Sequence, residues 1–307
     1  MKNLQTAVIG AGLMGHGIAL TLARAGQYVA VTDPMPEARA ALPARVTDSL
    51  HLMGVSDTEI AKILKRIEVF DSVAGAVREA SFVFEAAPEK MALKQAIFAE
   101  IEASAPVTAI LCSNTSVMPI TEIMLGLRDK TRALGTHWWN PPHLIPLVEV
   151  IRTADTSEAA MAATMDLLSG AGKTPVRVEK DVPGFIGNRL QHALWREAVS
   201  LVERGICDAA AVDAVIKASF GRRLAVLGPL ENADLVGTDL TLDIHNTVLA
   251  DLENRAGPSP LLQQMVAEGR LGMKSGQGFR SWTPEQAQAL RAKVVSHLLA
   301  LEKLLEG

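Results

Sequence analysis

Leu4-Gln5-Thr6-Ala7-Val8-Ile9-Gly10-Ala11-Gly12-Leu13-Met14-Gly15 is the stretch whose reading decides the fold. Residues 4–9 form an apolar run of strand length that passes straight into three spaced glycines, and a helix-like stretch then ends near Gly26. A second strand, Tyr28 to Thr32, finishes at Asp33. Each glycine has its own task in a dinucleotide-binding turn. Gly10 makes the tight turn, Gly12 lets the backbone approach a pyrophosphate, and Gly15 allows helix and strand to pack closely. The helix N-terminus, with Leu13 and Met14, faces the phosphates. Asp33 stands 18 residues after Gly15 and can accept from the adenosine ribose hydroxyls; a helix N-cap is its structural alternative. A carboxylate there repels a 2′-phosphate, and Pro34-Met35-Pro36 offers no Arg to hold one, so the cofactor expected is NAD rather than NADP.

Working outward, 307 residues are enough for two domains, each with its own core. With 49% apolar and 21% charged residues the composition is that of a soluble globular chain, and a net charge of −4 speaks against nucleic-acid or membrane-surface partners. Two cysteines, Cys112 and Cys207, are too few for a disulfide framework and suit a reducing compartment. The early first strand leaves no room for a signal peptide, and no apolar run reaches the roughly 18 residues of a membrane span. A cytoplasmic enzyme is therefore expected.

After Asp33 the strand–helix alternation is interrupted by two expected helices, 36–53 and 56–66, the second opened by the capping-box pattern Ser56-Asp57-Thr58-Glu59. Strands resume at 67–70, 82–86 and 109–112, with a helix at about 89–103. The turn Ala86-Ala87-Pro88-Glu89 falls at the C-terminal end of its strand, the edge where ligands bind in such sheets. Glu89 and Lys94 either reach cofactor hydroxyls or form a solvated first helical turn. Ser113-Asn114-Thr115-Ser116 lies at the same edge, as a ligand-facing polar loop or as caps for a helix at 119–125.

Residues 133–151 bring a reaction to that edge. A strand at 132–137 ends on His137, the stiff turn Asn140-Pro141-Pro142 follows, and Leu147-Val148-Glu149-Val150-Ile151 carries a carboxylate between apolar neighbours. An ionised carboxylate costs several kcal/mol to bury alone and asks for a partner, for which His137 is the candidate across the turn. A His–Glu pair supplies a base and the group that holds its tautomer. Downstream, a helix at 157–171 and a strand at 175–178 lead to Asp181-Val182-Pro183-Gly184, taken as the domain junction. From there the pattern is helical, at 185–204, 208–219, about 229–252, 259–268 and 283–306, with no strand signals. The fold class expected is α/β, a Rossmann-type doubly wound sheet with a helical insertion over residues 1–183, followed by an all-α domain over 184–307. Apolar residues crowd 230–249 for so small a helical domain, which suggests a face buried against another subunit.

Taken together, these segments resemble the L-3-hydroxyacyl-CoA dehydrogenase family across nearly the whole chain. The resemblance rests on Gly10-x-Gly12-x-x-Gly15, Phe84-Glu85-Ala86-Ala87-Pro88-Glu89, Ser113-Asn114-Thr115-Ser116, His137-x-x-Asn140-Pro141 and Leu147-Val148-Glu149-Val150. It continues through Pro183-Gly184-Phe185-Ile186-Gly187-Asn188-Arg189, Gly228-Pro229-Leu230 and Lys274-Ser275-Gly276-Gln277-Gly278-Phe279. It implies that His137 is the general base oriented by Glu149, that Ser116 and Asn188 contact the reacting oxygen, and that Glu89, Lys94 and Asn114 serve the NAD side. It also implies a homodimer through the C-terminal domain.

The reading that leads is NAD-dependent oxidation of a short-chain L-3-hydroxyacyl-CoA. The alternative keeps the chemistry on a small free carboxylate. The form Asn140-Pro141-Pro142-x-x-Ile145-Pro146-Leu147-Val148-Glu149 is similar to family members such as L-gulonate 3-dehydrogenase (lambda-crystallin) and the pyridine-aldehyde dehydrogenase of vitamin B6 breakdown. The insertion also lacks the lysine-rich tip that the resemblance associates with CoA phosphates. Ser49-Leu50-His51-Leu52-Met53-Gly54 has no Lys or Arg, leaving Arg45, Lys62, Lys65 and Arg66 to substitute. Trp138, Trp139 and His143 either shape a different substrate pocket or serve as core and surface-turn residues. A reading from another class is a non-catalytic, NAD-binding structural protein of the crystallin type, which would have no need of the His–Glu pair.

Overall fold

The computed structural model describes residues 5–306, so Leu4 of the expected first strand lies outside the described residues. Two compact units are present: one runs to Arg189 and takes in the chain again from Val295, and the other is Leu190–Val294.

In the first unit, β1 (Gln5–Ile9), α1 (Leu13–Arg24) and β2 (Tyr28–Thr32) form the expected strand–helix–strand unit. The insertion is α2 (Pro36–Leu52) and α3 (Asp57–Leu64), and Ser56 caps α3 by accepting from the Glu59 amide. Then come β3 (Ile67–Phe70), α4 (Val73–Val77), β4 (Phe82–Glu85), α5 (Met91–Ser104), β5 (Ile110–Ser113) and α6 (Ile120–Ile123). The series closes with β6 (Ala133–Trp138), β7 (Leu147–Ile151), α7 (Glu158–Gly170) and β8 (Thr174–Val178). One short helix, α4, is absent from the sequence expectation, because five residues are too few to show a helical period.

The eight strands make one sheet in the order β3-β2-β1-β4-β5-β6-β7-β8. All neighbours are parallel except β6 and β7, which are antiparallel and place His137 directly opposite Glu149. Side chains alternate between the two faces of a strand, and both faces here are covered. On one face Val8, Leu134, Trp138, Val148 and Val150 pack with Ile18 and Leu22 of α1, Leu42 and Val46 of α2, and Met161 of α7. On the other, Ala7, Ile9, Ala133 and Ile151 pack with Phe98 and Ile101 of α5, Ile120, Ile123 and Phe185. By the same alternation His137 and Glu149 fall on the second face, beside Phe185.

At the end of β4 this core holds an ion pair. Glu85 and Lys94 are both fully buried, 2.7 Å apart. The carboxylate also accepts from the Ala87 amide at 2.7 Å and from the Ser113 hydroxyl at 2.7 Å.

The chain continues through α8 (Gly187–Glu203), whose first residues belong to the first unit, and into the second unit. There it forms α9 (Ala209–Ala218), α10 (Pro229–Val236), α11 (Thr238–Val248), α12 (Pro260–Ala267) and α13 (Pro284–Glu306), whose last residues return to the first unit. The helix expected at 229–252 is two, broken at Gly237, whose φ of 100° a helix cannot use. Isolated bridges at Gly272, Gln277 and Ser281 are the only β pairings among the described residues of this unit.

Removing one member of a buried pair strands the other charge, at a cost of about 3–5 kcal/mol, whereas removing both is far milder. Glu85→Ala should therefore lower the unfolding free energy by about that amount in urea titration, with Glu85→Leu/Lys94→Met much closer to the parent protein.

Candidate active site

The glycine turn between β1 and α1 is shaped for a dinucleotide. Gly10 has φ 111°, and a side chain there would meet the Ala86 carbonyl oxygen at 2.8 Å. A Cβ on Gly15 would overlap the Gly10 carbonyl oxygen, so helix and turn touch backbone to backbone. A Cβ on Gly12, by contrast, would meet nothing within 4 Å, and α1 has neither a side-chain cap nor an acidic residue in its first turn. The helix end is thus open to an anion. Leu13 beside it is exposed and Met14 half-buried. Asp33 braces the turn, one carboxylate oxygen accepting from the Ala11 amide at 2.8 Å and the other from the Met35 amide at 2.9 Å. A carboxylate has about four acceptor positions, so lone pairs remain for ribose hydroxyls. Arg45 of α2 donates to the Ala11 carbonyl from 3.0 Å.

The catalytic candidates are His137, next to the last residue of β6, and Glu149, in the middle of β7. His137 and Glu149 are both buried, and His137 Nδ1 is 2.8 Å from Glu149 Oε2. The other carboxylate oxygen accepts from the backbone N–H groups of Ile186 and Gly187, at 2.8 and 3.0 Å. Burial on its own would raise this carboxyl. The bond from His137 and the two amides outweigh that effect, and Glu149 titrates below the usual carboxylate value. Because the folded value is the lower one, this stabilisation is fully present above the unfolded carboxyl's range and is lost as pH falls through the folded value. An ionised carboxylate only accepts, so Nδ1 carries the proton and Nε2 presents its lone pair. Phe185 turns the chain so that both amides reach Glu149. Its φ of 50° is left-handed, a conformation that costs a bulky residue about 1–3 kcal/mol. The rings of Trp139 and Phe185 stand 5.2 and 5.7 Å from the imidazole.

Ser116 and Asn188 are together, since the Asn188 side-chain amide donates to the Ser116 carbonyl at 2.8 Å. Glu89 holds the same loop, accepting from the Ser116 amide at 2.6 Å and the Thr115 hydroxyl at 2.8 Å. Asn114 accepts from the Trp138 amide at 2.9 Å and so ties the β5 loop to β6. Lys94 points inward rather than into open space. It bonds Glu85 and the Ala87 carbonyl at 3.1 Å, with Glu89 at 3.8 Å. Three contributors have no role in the sequence reading. The amides of Ile186 and Gly187 leave no trace in residue type. Glu85, however, sits in the apolar run Phe82-Val83-Phe84-Glu85, and the buried-charge argument that singles out Glu149 applies to it equally. The third, Lys173, donates to the carbonyls of Pro142 and Ile145.

This arrangement is matched by known proteins over nearly its full length. Residues 5–182 match the family model of the 3-hydroxyacyl-CoA dehydrogenase NAD binding domain, and 184–282 that of its C-terminal domain. The chain belongs to the 3-hydroxyacyl-CoA dehydrogenase family. It is an NAD-dependent oxidoreductase acting on CH–OH groups. Among its relatives, 5-formyl-3-hydroxy-2-methylpyridine 4-carboxylate 5-dehydrogenase of Mesorhizobium japonicum is 36% identical over 304 residues, covering 98% of each chain. A crystal structure of an enzyme of that name, described as an NAD+ dependent dismutase, superposes with a TM-score of 0.91 at 35% identity, covering 99% of both chains. The (S)-3-hydroxybutyryl-CoA dehydrogenase of Ralstonia eutropha superposes with a TM-score of 0.76 at 33% identity, over 91% of this chain and 99% of that one.

Gly15→Ala should weaken NADH binding at least about tenfold in a fluorescence titration, which corresponds to 1.4 kcal/mol. The same substitution at Gly12, where space is open, should not disturb the fold as judged by thermal melting.

Proposed function

We propose that this family member oxidises the hydroxyl of a small substrate that carries a free carboxylate and no CoA. The observation that carries this reading is the disposition of cations on the insertion. Arg45 is turned to the glycine loop, Arg66 donates to the Ala23 carbonyl at 3.2 Å, and Lys62 pairs with Glu59 at 2.6 Å. The connection between α2 and α3, Met53 to Ser56, carries no charge at all. Little is left there to hold the phosphates of CoA. The full-length likeness to an enzyme named for a pyridine carboxylate supports the same reading. A short-chain L-3-hydroxyacyl-CoA is the second reading, supported by the family models and by Lys65, which is exposed just past the C-terminus of α3.

Gly10, Gly12, Leu13, Met14 and Gly15 would hold NAD at the glycine turn, Asp33 would accept from its adenosine ribose hydroxyls, and the bound cofactor would supply the hydride acceptor. Nε2 of His137 takes the proton from the substrate hydroxyl as the carbon bearing that hydroxyl gives up its hydrogen as hydride, leaving a carbonyl. Glu149 then stabilises the imidazolium through Nδ1. Ser116 and Asn188 orient the reacting oxygen, while Glu89, Lys94 and Asn114 shape the loops on the NAD side. Residues 1–183 form the NAD domain, and residues 184–307 pair two chains into a homodimer. Helices α9, α10 and α11 contain no buried residue, and Leu230 and Leu235 are 80% and 72% exposed, which supports a partner for them. The buried free thiol of Cys112 suits a cytoplasmic setting.

NADH formation with a hydroxymethylpyridine carboxylate, L-gulonate, free 3-hydroxybutyrate and L-3-hydroxybutyryl-CoA separates the readings. Turnover with free acids alone is expected, and turnover confined to the thioester would overturn the proposal. His137→Ala and Glu149→Gln should each lower kcat by about a thousandfold while leaving NADH affinity unchanged. Light scattering should give twice the chain mass; a monomer would end the dimer proposal.

A further inference from the structure

The turn joining His137 to Glu149 is held by a residue outside it. Lys173, between α7 and β8, directs its ammonium to the Pro142 carbonyl at 2.6 Å and the Ile145 carbonyl at 3.0 Å. It also lies 5.6 Å over the ring of buried Trp138. The adjoining Thr174 amide bonds the Pro146 carbonyl at 2.9 Å. From the other side, α1 presses on the turn: a Cβ on Gly17 would lie 2.6 Å from Pro142 and 3.0 Å from His143. The turn is therefore clamped between Lys173 and the helix that begins at the glycine loop.

The geometry points to Lys173 as a positioning residue that fixes the Asn140–Pro146 turn and through it sets substrate affinity. A hydroxyl bonded to His137 Nε2 lies within about 3 Å of the ring. Trp139, whose ring centre is 5.2 Å from that of the imidazole, leads directly into the turn, so the turn begins beside the base that receives the substrate hydroxyl. His137 and Glu149 themselves are fixed by strand register and by the amides of Ile186 and Gly187, none of which involves Lys173. Loosening the turn should thus cost substrate binding rather than the chemical step. The role rests on the assigned reaction at His137, though not on which carboxylate is the substrate.

The clamp is also sensitive to charge. Burial, with Arg24 on α1 adding to it, brings the Lys173 ammonium down to about 8, against the opposing pull of Glu302 on α13. His143, the titratable group of the turn itself, is brought down to about 4 by burial and by the nearby His16 and Lys173, so it is neutral through the range in which Lys173 titrates. Bonds from an ammonium are stronger than those from a neutral amine.

The test compares Lys173→Met and Lys173→Arg with the parent enzyme from pH 6.5 to 9.5, on whichever substrate the parent turns over. Lys173→Met should raise the substrate KM about tenfold with kcat within about twofold and NADH affinity unchanged. The parent KM should climb as pH passes through about 8, and that rise should be absent in Lys173→Arg, whose charge persists. Amide hydrogen exchange at Leu144 and Ile145, which both bond the Pro141 carbonyl, should quicken in Lys173→Met whether or not a substrate is known. An unchanged KM in an active Lys173→Met enzyme, or unchanged exchange at those amides, would overturn the assignment. A parent enzyme inactive on every substrate would instead count against the assigned reaction, leaving the exchange measurement to judge Lys173.

Discussion

One buried bond organises the site: the contact between His137 Nδ1 and Glu149. An ionised carboxylate cannot sit in a strand core without several kcal/mol of compensation. Glu149 receives it from three donors, one of them the imidazole proposed as the base and two of them backbone amides. That requirement propagates outward. The antiparallel pairing of β6 with β7, the only one among the described strands of the sheet, sets the two side chains opposite each other. The left-handed backbone at Phe185 immediately precedes the two amides that bond Glu149. The strain is held because releasing it would leave a buried charge short of donors.

A second buried charge governs the neighbouring loops. Glu85 fixes Lys94 and Ser113, Lys94 stands beside Glu89, Glu89 holds the Ser116 amide, and the Ser116 carbonyl receives Asn188. Most links in this chain involve a charged group, and charge-assisted bonds are shorter and stronger than neutral ones. The loops at the ends of β4 and β5 are thereby set by a network rooted in the core. This also explains why Lys94 is directed inward: without it, Glu85 would be a buried charge with no counter-ion.

How much of this could be read from the sequence follows from the range of each interaction. The glycine turn, Asp33 and the strand–helix alternation are local patterns, and they are where the residues place them. The His137–Glu149 pair spans a short turn, and a carboxylate among Val and Ile announces its need for a partner. Lys173 gave no such sign, because it lies outside the turn it holds and its acceptors are carbonyls, which every residue has. The amides on Glu149 are hidden for the same reason. Helix α4 was too short to show a period, and the break at Gly237 depends on a φ sign that an apolar helical stretch does not reveal. Arg45 and Arg66 could be counted in the sequence, but only the structure shows them turned to carbonyls of the first domain's core.

The claim on which everything else rests is that Glu149 fixes the His137 tautomer, leaving Nε2 as the base. Nitrogen-15 NMR of the imidazole, at a pH where the ring is neutral, reads this directly. A protonated Nδ1 with an unprotonated Nε2 is expected in the parent protein, and that preference should weaken in Glu149→Gln. A parent protein with the proton on Nε2 would contradict the assignment, because no lone pair would then face the substrate hydroxyl.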